Sequence, residues 1–526
     1  MSLDTTLAPT AQIESMFVPA PAISPAATES TVDYIVVQAG GKGTRLEHLT
    51  KNKPKALVPV ENLPMIFHLF RKFPDKRFVV IADYHREVLR EYLAAFADVE
   101  YQVVEAAGEG TCGGVAQALA LLPDGAPFML AWSDLILPEA FELPAGDHDW
   151  VGVSQTFECR WSYTDGRFAE ERSREHGVAG LFVFRDKSSL SGIPASGELV
   201  RWLSQNGPAF DELGLAGTRE FGLLREYQAL AAEKTRPFNR ATVVGDRFIK
   251  EPIDAQGRSL ARRERNWYRH ALKLGVENIP TLYELEPLTM EKIDGKNIYE
   301  YGDLSLESKR AVLADLTAAL RELHALESAP ADSFSTREAY YGKTVERLKA
   351  VRDVIPFTDR KTITVNGREC RNVYLHKRDL ERALDALSVE RFAFIHGDPT
   401  FSNLMLSDGM KPVLIDPRGY FGRTELHGDP NYDWAKLYYS VVGNYDQFNL
   451  KNFRLGIDPA TVDLAIQSNG WERLEEDLFA LSGADPRTIK LLHAVIWLSL
   501  TTYAWQDYDS ICGAFYNGLY YLEEAL

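Results

Sequence analysis

From residue 34 onward the chain moves between short runs that are apolar throughout and longer stretches whose apolar residues recur every three or four positions. The first pattern predicts buried strands and the second amphipathic helices. In order, these are a strand at Tyr34–Val37, a helix at Leu63–Phe73, a strand at Arg77–Ala82, a helix at Arg86–Phe96, and strands at Val99–Val104 and Phe128–Ala131. Strand-helix repetition of this kind predicts a mostly parallel sheet with helices on its faces. Two further strands are expected within Asp149–Phe184, flanking a polar stretch at Glu170–His176. The pattern then changes. T-V-V and R-F-I-K flank Gly245-Asp246 as a hairpin, and a helical run opens at Glu264. A strand follows and ends in Met290–Ile293. Beyond it, helices are expected at Leu306–Leu326, Val345–Val354 and Lys377–Leu387, around a hairpin turned by Asn366-Gly367. Phe392–Ile395 and Pro412–Ile415 read as short strands, and residues 458–526 as helical and aromatic-rich.

With 526 residues the chain exceeds one core, and roughly two to four units are expected. Its 45% hydrophobic and 25% charged residues are those of an ordinary globular protein, with no apolar run long enough to span a bilayer. A net charge of −17 and a pI of about 5.2 argue against nucleic acid or an anionic membrane as partner, and leave room for local phosphate sites. Cys112, Cys159, Cys370 and Cys512 are far apart, which argues against a disulfide framework or a zinc site and fits a reducing cytoplasm. Residues 1–30 lack the basic start and continuous apolar segment of a signal peptide, so a disordered leader is expected.

The densest chemistry lies in F-I-H-G-D-P-T-F-S-N-L-M-L followed by P-V-L-I-D-P-R-G-Y, Phe394 to Tyr420. Each short strand ends in an acid, Asp398 and Asp416, and Asn403 stands five residues after Asp398. Phosphoryl transfer from ATP requires a carboxylate to orient a hydroxyl, and an amide plus a carboxylate to hold magnesium on the phosphates. The stretch resembles the aminoglycoside phosphotransferase and choline kinase family, small-molecule kinases of protein-kinase-like fold. The resemblance implies that Asp398 is the catalytic base, that Asn403 and Asp416 bind Mg2+, and that His396 is structural. It extends upstream, where Lys250 on a strand and Glu264 on a helix match the pair that orients the α- and β-phosphates of ATP. Met290 to Ile293 matches the hinge whose backbone binds adenine. Asp433 resembles an acid that braces the catalytic loop, and Arg418 is a weaker candidate for a product phosphate. In the C-terminal aromatic stretch, including Trp497, Tyr503, Trp505, Tyr508, Phe515 and Tyr516, core packing is the first reading. A cage for a quaternary ammonium is the second.

Near the N-terminus, Y-I-V-V-Q-A-G-G-K-G-T-R-L is followed by K-P-K-A-L-V-P-V. Glycines bring backbone N–H groups close to phosphates, and Lys42 and Arg45 add positive charge. The spacing excludes both a Walker A loop and a Rossmann G-x-G-x-x-G. It is similar to the nucleotidyltransferases that make nucleotide sugars and nucleotide alcohols, whose signature is G-G-x-G-T-R-L followed by P-K-x-L. By that resemblance Gly40, Gly41, Lys42, Gly43, Thr44 and Arg45 wrap the triphosphate, Arg45 stabilises departing pyrophosphate, and Lys55 contacts phosphate in the transition state. Gly110, Thr111 and Gly114 match a loop near base and ribose, with plain capping of a helix by Thr111 equally open. Asp134, at a strand end pointing into the ligand crevice, matches a magnesium ligand. Glu220 stands where the family has a second metal-binding Asp, and ligand and surface readings stay open. Arg172 and Arg174 read first as a solvated loop and second as contacts to the acceptor phosphate.

Together these features predict an α/β protein. A Rossmann-like nucleotidyltransferase domain with a mostly parallel sheet (31–233) follows the leader (1–30). Then comes a two-lobed, protein-kinase-like α+β phosphotransferase, with small lobe and hinge at 234–293 and large lobe at 294–526. The implied function is bifunctional. ATP phosphorylates a small alcohol, amino alcohol or sugar, and an NTP, CTP first, then donates its nucleotidyl group to the new phosphate with Mg2+ at both sites. The product would serve capsule or other surface polysaccharide decoration. Two alternatives stay open: a kinase with a nucleotide-binding regulatory domain, and an antibiotic phosphotransferase.

Overall fold

The computed structural model describes residues 32–106, 108–144, 148–222, 224, 227 and 239–526. The expected leader at 1–30 and the boundary at 233/234 lie outside the described residues.

Among the described residues, nine strands form one N-terminal sheet. At its centre Tyr34–Gln38 pairs in parallel with Phe128–Trp132 on one side and Arg77–Ala82 on the other, and Tyr101–Glu105 extends it in parallel. Beyond Phe128–Trp132 the sheet turns antiparallel through Gly177–Phe184. Alternation along the central strands divides the packing between two faces. Ile35, Val37, Phe78 and Val80 meet the helices Met65–Lys72 and Arg86–Phe96 through Ile66, Phe70, Leu89 and Leu93. Val36, Val79, Ile81 and Leu130 meet Cys112–Leu119 and Leu199–Asn206 through Val115, Ala118, Leu199 and Leu203. The whole is a doubly covered, mostly parallel α/β layer.

The C-terminal half begins with a four-stranded antiparallel sheet in the order Asn239–Val244, Arg247–Pro252, Leu288–Glu291, Leu282–Leu285. The helix beside it runs Ala255–Leu274, starting nine residues before Glu264, where the pattern placed its beginning. Asp254 caps it by accepting a hydrogen bond from the Gly257 N–H at 2.5 Å. Lys250 is likewise inside its strand, not at its end. Helices Leu306–Leu326, Pro430–Val441, Pro486–Leu500 and Tyr508–Ala525 build the larger lobe. Trp497, Tyr508, Phe515 and Tyr516 are buried in its core, whereas Tyr503 is 40% exposed.

Residues 458–526 are not uniformly helical. Val462–Ile466 is a strand paired antiparallel with Phe453–Ile457 and adjoining the hairpin Thr362–Val365/Arg368–Arg371. This sheet meets the N-terminal half. Asn52 donates from Nδ2 to the Leu455 carbonyl at 2.9 Å, and its Oδ1 accepts from the Ile457 N–H at 3.3 Å. Lys53, 1% exposed, donates to Asp507 at 2.7 Å and to Asp509 at 2.6 Å. Trp505 packs against Phe67 and Phe96 with ring centroids 5.8 and 5.9 Å away, and its carbonyl accepts the Tyr92 hydroxyl. Among the described residues no helix is long and apolar enough to cross a membrane, and all four cysteines are free.

Candidate functional site

Two constellations form, one in each half. In the first, the loop after Tyr34–Gln38 turns back on itself, with Gly43 at φ 61, a conformation that favours glycine. A Cβ there would press on the side chains of Lys55 and Thr50 at 3.0 Å. The Lys55 N–H donates to the Gly41 carbonyl at 3.3 Å, which joins the glycine loop to K-P-K-A-L. Lys42, Thr44 and Arg45 are exposed along the loop. Asp134 follows Phe128–Trp132 and is 7% exposed. The strand pair Leu135–Ile136/Arg219–Glu220 sets Glu220 opposite Leu135, and the Phe221 N–H donates to the Asp134 carbonyl at 3.2 Å. Lys55 bonds Asp134 Oδ2 and lies 3.9 Å from Glu220 Oε1. Arg45 and Glu220 also converge, since a Cβ at Gly222 would touch both.

The Gly108–Gly114 loop is stapled to residues 197–199. Gly110 has φ 87 and bridges Gly197, and the Cys112 N–H donates to the Gly197 carbonyl at 2.9 Å. Thr111 precedes the helix Cys112–Leu119 without capping it through its side chain; its Oγ1 accepts instead from the Leu199 N–H at 2.8 Å. Gly114 is buried against Ile81, a packing position between helix and sheet. Arg172 pairs with Glu158 at 3.2 Å and is exposed, and Arg174 donates to the Thr156 carbonyl at 2.9 Å.

In the second constellation, Lys250 Nζ reaches Glu264 at 2.9 and 3.0 Å and Asp416 Oδ1 at 2.7 Å. Burial pushes the Glu264 carboxyl up against the pull of Lys250. Burial pulls Lys250 down, and Asp416 and Glu264 more than offset it. Asp416 has φ 52, and the Ile415 N–H donates to the Asn403 carbonyl at 3.1 Å, so the two candidate metal ligands are neighbours. Asn403 Nδ2 donates to Asp398 Oδ2 at 3.1 Å. Burial raises the Asp398 carboxyl, but Lys436, 2.8 Å away, and Arg418 outweigh it and leave it below its ordinary value.

His396 is fully buried. Its Nδ1 accepts from the Asp398 N–H at 3.2 Å and its Nε2 donates to the Ile415 carbonyl at 2.9 Å. Asp433, also 0% exposed, accepts from the His396 N–H at 2.9 Å and the Gly397 N–H at 2.7 Å. Met290 lies within the strand Leu288–Glu291 with its side chain buried, and half-buried Ile293 follows. Sequence reasoning passed over Lys436, three residues after Asp433 on the helix Pro430–Val441, a spacing that puts both on one helix face.

Magnesium is bound by oxygen donors, and both constellations supply them. Asp134 Oδ1 is buried with no hydrogen-bond donor, and Asn403 stands beside Asp416. These donor sets fit a hard divalent cation.

One half thus holds a glycine loop with converging Lys, Arg and paired acids, and the other a Lys–Glu–Asp–Asn–Asp set. Residues 34–148 match the nucleotidyl transferase family and residues 240–476 the phosphotransferase enzyme family, so the chain is a fusion of the two. The UTP–glucose-1-phosphate uridylyltransferase AglF of Haloferax volcanii is 36% identical over 108 residues, covering 19% of this chain and 43% of that relative. The chain therefore spans less than half the length of this curated relative. The inositol-1-phosphate CTP transferase from T. maritima superposes with a TM-score of 0.32 and 18% identity over 38% of this chain and 96% of that one. A gentamicin–APH(2")-IIa complex gives 0.37 and 16% over 55% and 89%.

Proposed function

We propose that the chain activates a small hydroxyl compound in two steps. ATP first phosphorylates the hydroxyl, and the new phosphate then attacks the α-phosphorus of a second NTP, releasing pyrophosphate. The observation that carries this reading is that each half brings basic and acidic side chains together, Lys55 with Asp134 and Glu220 in one and Lys250 with Glu264 and Asp416 in the other. In the kinase step Asp398 orients the acceptor hydroxyl and takes its proton, while Lys250, fixed by Glu264, holds the α- and β-phosphates of ATP. Met290–Ile293 would line adenine. Magnesium held by Asn403 and Asp416, and by Asp134 and Glu220, would neutralise phosphate charge. In the transfer step Gly40–Thr44 and Gly110–Thr111 position the nucleotide. Lys55 offsets charge at the α-phosphate, and Arg45 stabilises pyrophosphate as the P–O bond breaks.

CTP is the nucleotide we place first, because the transferase is short and fused to a small-molecule kinase. UTP, which the Haloferax relative uses by its name, is the comparator. A nucleotide-activated product suits surface polysaccharide decoration. Full-length protein given ATP, CTP or UTP, magnesium and candidate alcohols should release ADP and then pyrophosphate. Asp398→Ala should stop ADP formation but leave pyrophosphate release from a pre-phosphorylated acceptor, and Lys55→Ala should stop pyrophosphate release but leave ADP formation. ADP without pyrophosphate from any NTP would reduce the N-terminal half to a nucleotide-binding module.

A further inference from the structure

Beside Asp398, Lys436 and Arg418 are joined by Lys343 and Arg347, which the helix Lys343–Val351 brings from a separate part of the chain. The four surround a cavity of about 50 Å³ whose remaining wall includes Tyr432, Tyr439 and Tyr503. Among the described residues, Asp398 is the one carboxylate in ion-pair contact with any of them. Their other partners are neutral. Arg418 donates to the hydroxyls of Tyr432 at 3.0 Å and Tyr420 at 2.8 Å, and Arg347 donates to the Ser499 carbonyl at 2.7 Å. Four cations against one anion in a half-buried cavity are costly unless an anion completes the set. The crowding shows in Lys343, which burial and then Arg418, Arg347 and Lys436 hold well below a lysine's ordinary value.

The aromatic faces here are already occupied. Arg347 stacks on Tyr503 at 4.2 Å, Arg418 on Tyr420 at 4.6 Å, and Lys436 lies 5.8 Å from Tyr432 and 5.5 Å from Tyr439. A ligand ammonium would meet this cluster of basic side chains over rings that already carry a cation.

We propose that the acceptor phosphorylated at Asp398 is an alcohol that already carries an oxyanion, a phosphate monoester or a carboxylate. Lys343, Arg347 and Arg418 grip that group while the hydroxyl faces Asp398. The proposal rests on the kinase reading of Asp398 and adds the acceptor's chemical class. It excludes polycationic and quaternary-ammonium acceptors. In balanced form, the acceptor hydroxyl oxygen bonds the γ-phosphorus, the bond from that phosphorus to the β,γ-bridging oxygen of ATP breaks, and the hydroxyl proton passes to Asp398.

The test uses full-length protein, ATP and magnesium with glycerol, glycerol 3-phosphate, glycerate and choline, following ADP. At least tenfold higher kcat/KM is expected for an anionic member over glycerol and choline, and the two anionic arms separate phosphate from carboxylate recognition. Lys343→Met and Arg347→Ala should raise the anionic acceptor's KM at least tenfold while the KM for ATP stays within twofold. Preference for glycerol or choline would overturn the proposal. So would an effect of the two variants on ATP in place of the acceptor, which would assign the cations to the γ-phosphate. Calorimetric titration with glycerol 3-phosphate, in wild type and in both variants, keeps the two readings apart. No ADP with any acceptor but anion binding lost in the variants would sink the kinase reading and keep the anion site. Absence of anion binding would sink the site.

Discussion

Replacing Lys53 with Met removes the cation from a buried cluster that joins the two halves. Its ammonium is 2.7 Å from Asp507 and 2.6 Å from Asp509, with the lysine side chain 1% and the Asp507 side chain 5% exposed. Breaking a buried pair by deleting one partner costs about 3–5 kcal/mol, because an uncompensated charge stays behind. Here two carboxylates stay behind, with Lys451 at 3.5 Å from Asp507 as partial relief, so the cost should fall within that span. Burial raises the Asp507 carboxyl, but Lys53 and Lys451 hold it far below the usual range. Its contribution is therefore complete above an unfolded carboxyl's pKa of about 3.9 and is lost as pH falls through the depressed folded value. In the variant that depression weakens and the carboxylates protonate at higher pH, so the loss of stability should be smaller at pH 5 than at pH 8. Urea denaturation followed by tryptophan fluorescence measures the difference. Adding Asp507→Asn and Asp509→Asn to Lys53→Met should restore most of the loss. A loss below about 1 kcal/mol at pH 8, or no recovery in the triple variant, would refute the reasoning.

Three further outcomes are expected. Asp433→Ala leaves the buried His396 and Gly397 N–H groups without their acceptor, at about 1–3 kcal/mol each, read by urea unfolding together with a loss of ADP formation. His493, fully buried, accepts from the Trp497 indole through Nε2 at 2.9 Å, and burial holds its pKa at about 3. A depressed base gives stability that is complete above its unfolded value of about 6.5 and is lost as pH falls toward 3, about 2 kcal/mol by pH 5. His493→Gln should remove that part of the acid slope, as measured by unfolding at pH 7.5 and 5. Glu220→Gln should slow pyrophosphate release at least tenfold and raise the magnesium requirement, whereas an unchanged magnesium response would make Glu220 a surface residue.

Local pattern carried much of the fold. Arg77–Ala82, Arg86–Phe96 and Leu306–Leu326 have the bounds their periodicity predicts, because each buries one regular face. The helix start at Ala255 was hidden since A-Q-G-R-S-L has a glycine and little apolar spacing, and Asp254 does its work by capping. The strand Val462–Ile466 is short, and its partners at Phe453–Ile457 and Thr362–Val365 belong to other stretches, so alternation alone did not separate it from the helical run. The candidate residues fared likewise. Motif spacing singled out Asp134 and Glu220 individually, but their approach depends on strand pairing across some eighty positions. Lys343 and Arg347 belong to no motif, and only the fold sets them beside Arg418 and Lys436.

The turn between Pro486–Leu500 and Tyr508–Ala525 carries Tyr503 on the wall of the cationic cavity, Trp505 against Phe67 and Phe96, and then Asp507 on Lys53. Lys53 is two positions from Lys55, which bonds Asp134. If an acceptor orders Tyr503 and a nucleotide orders Lys55, the two ligands act on segments joined by the Lys53–Asp507 pair. Reciprocity follows: whatever factor the acceptor lends to nucleotide affinity, the nucleotide returns to the acceptor. The fusion is in that sense a thermodynamic cycle with two entrances.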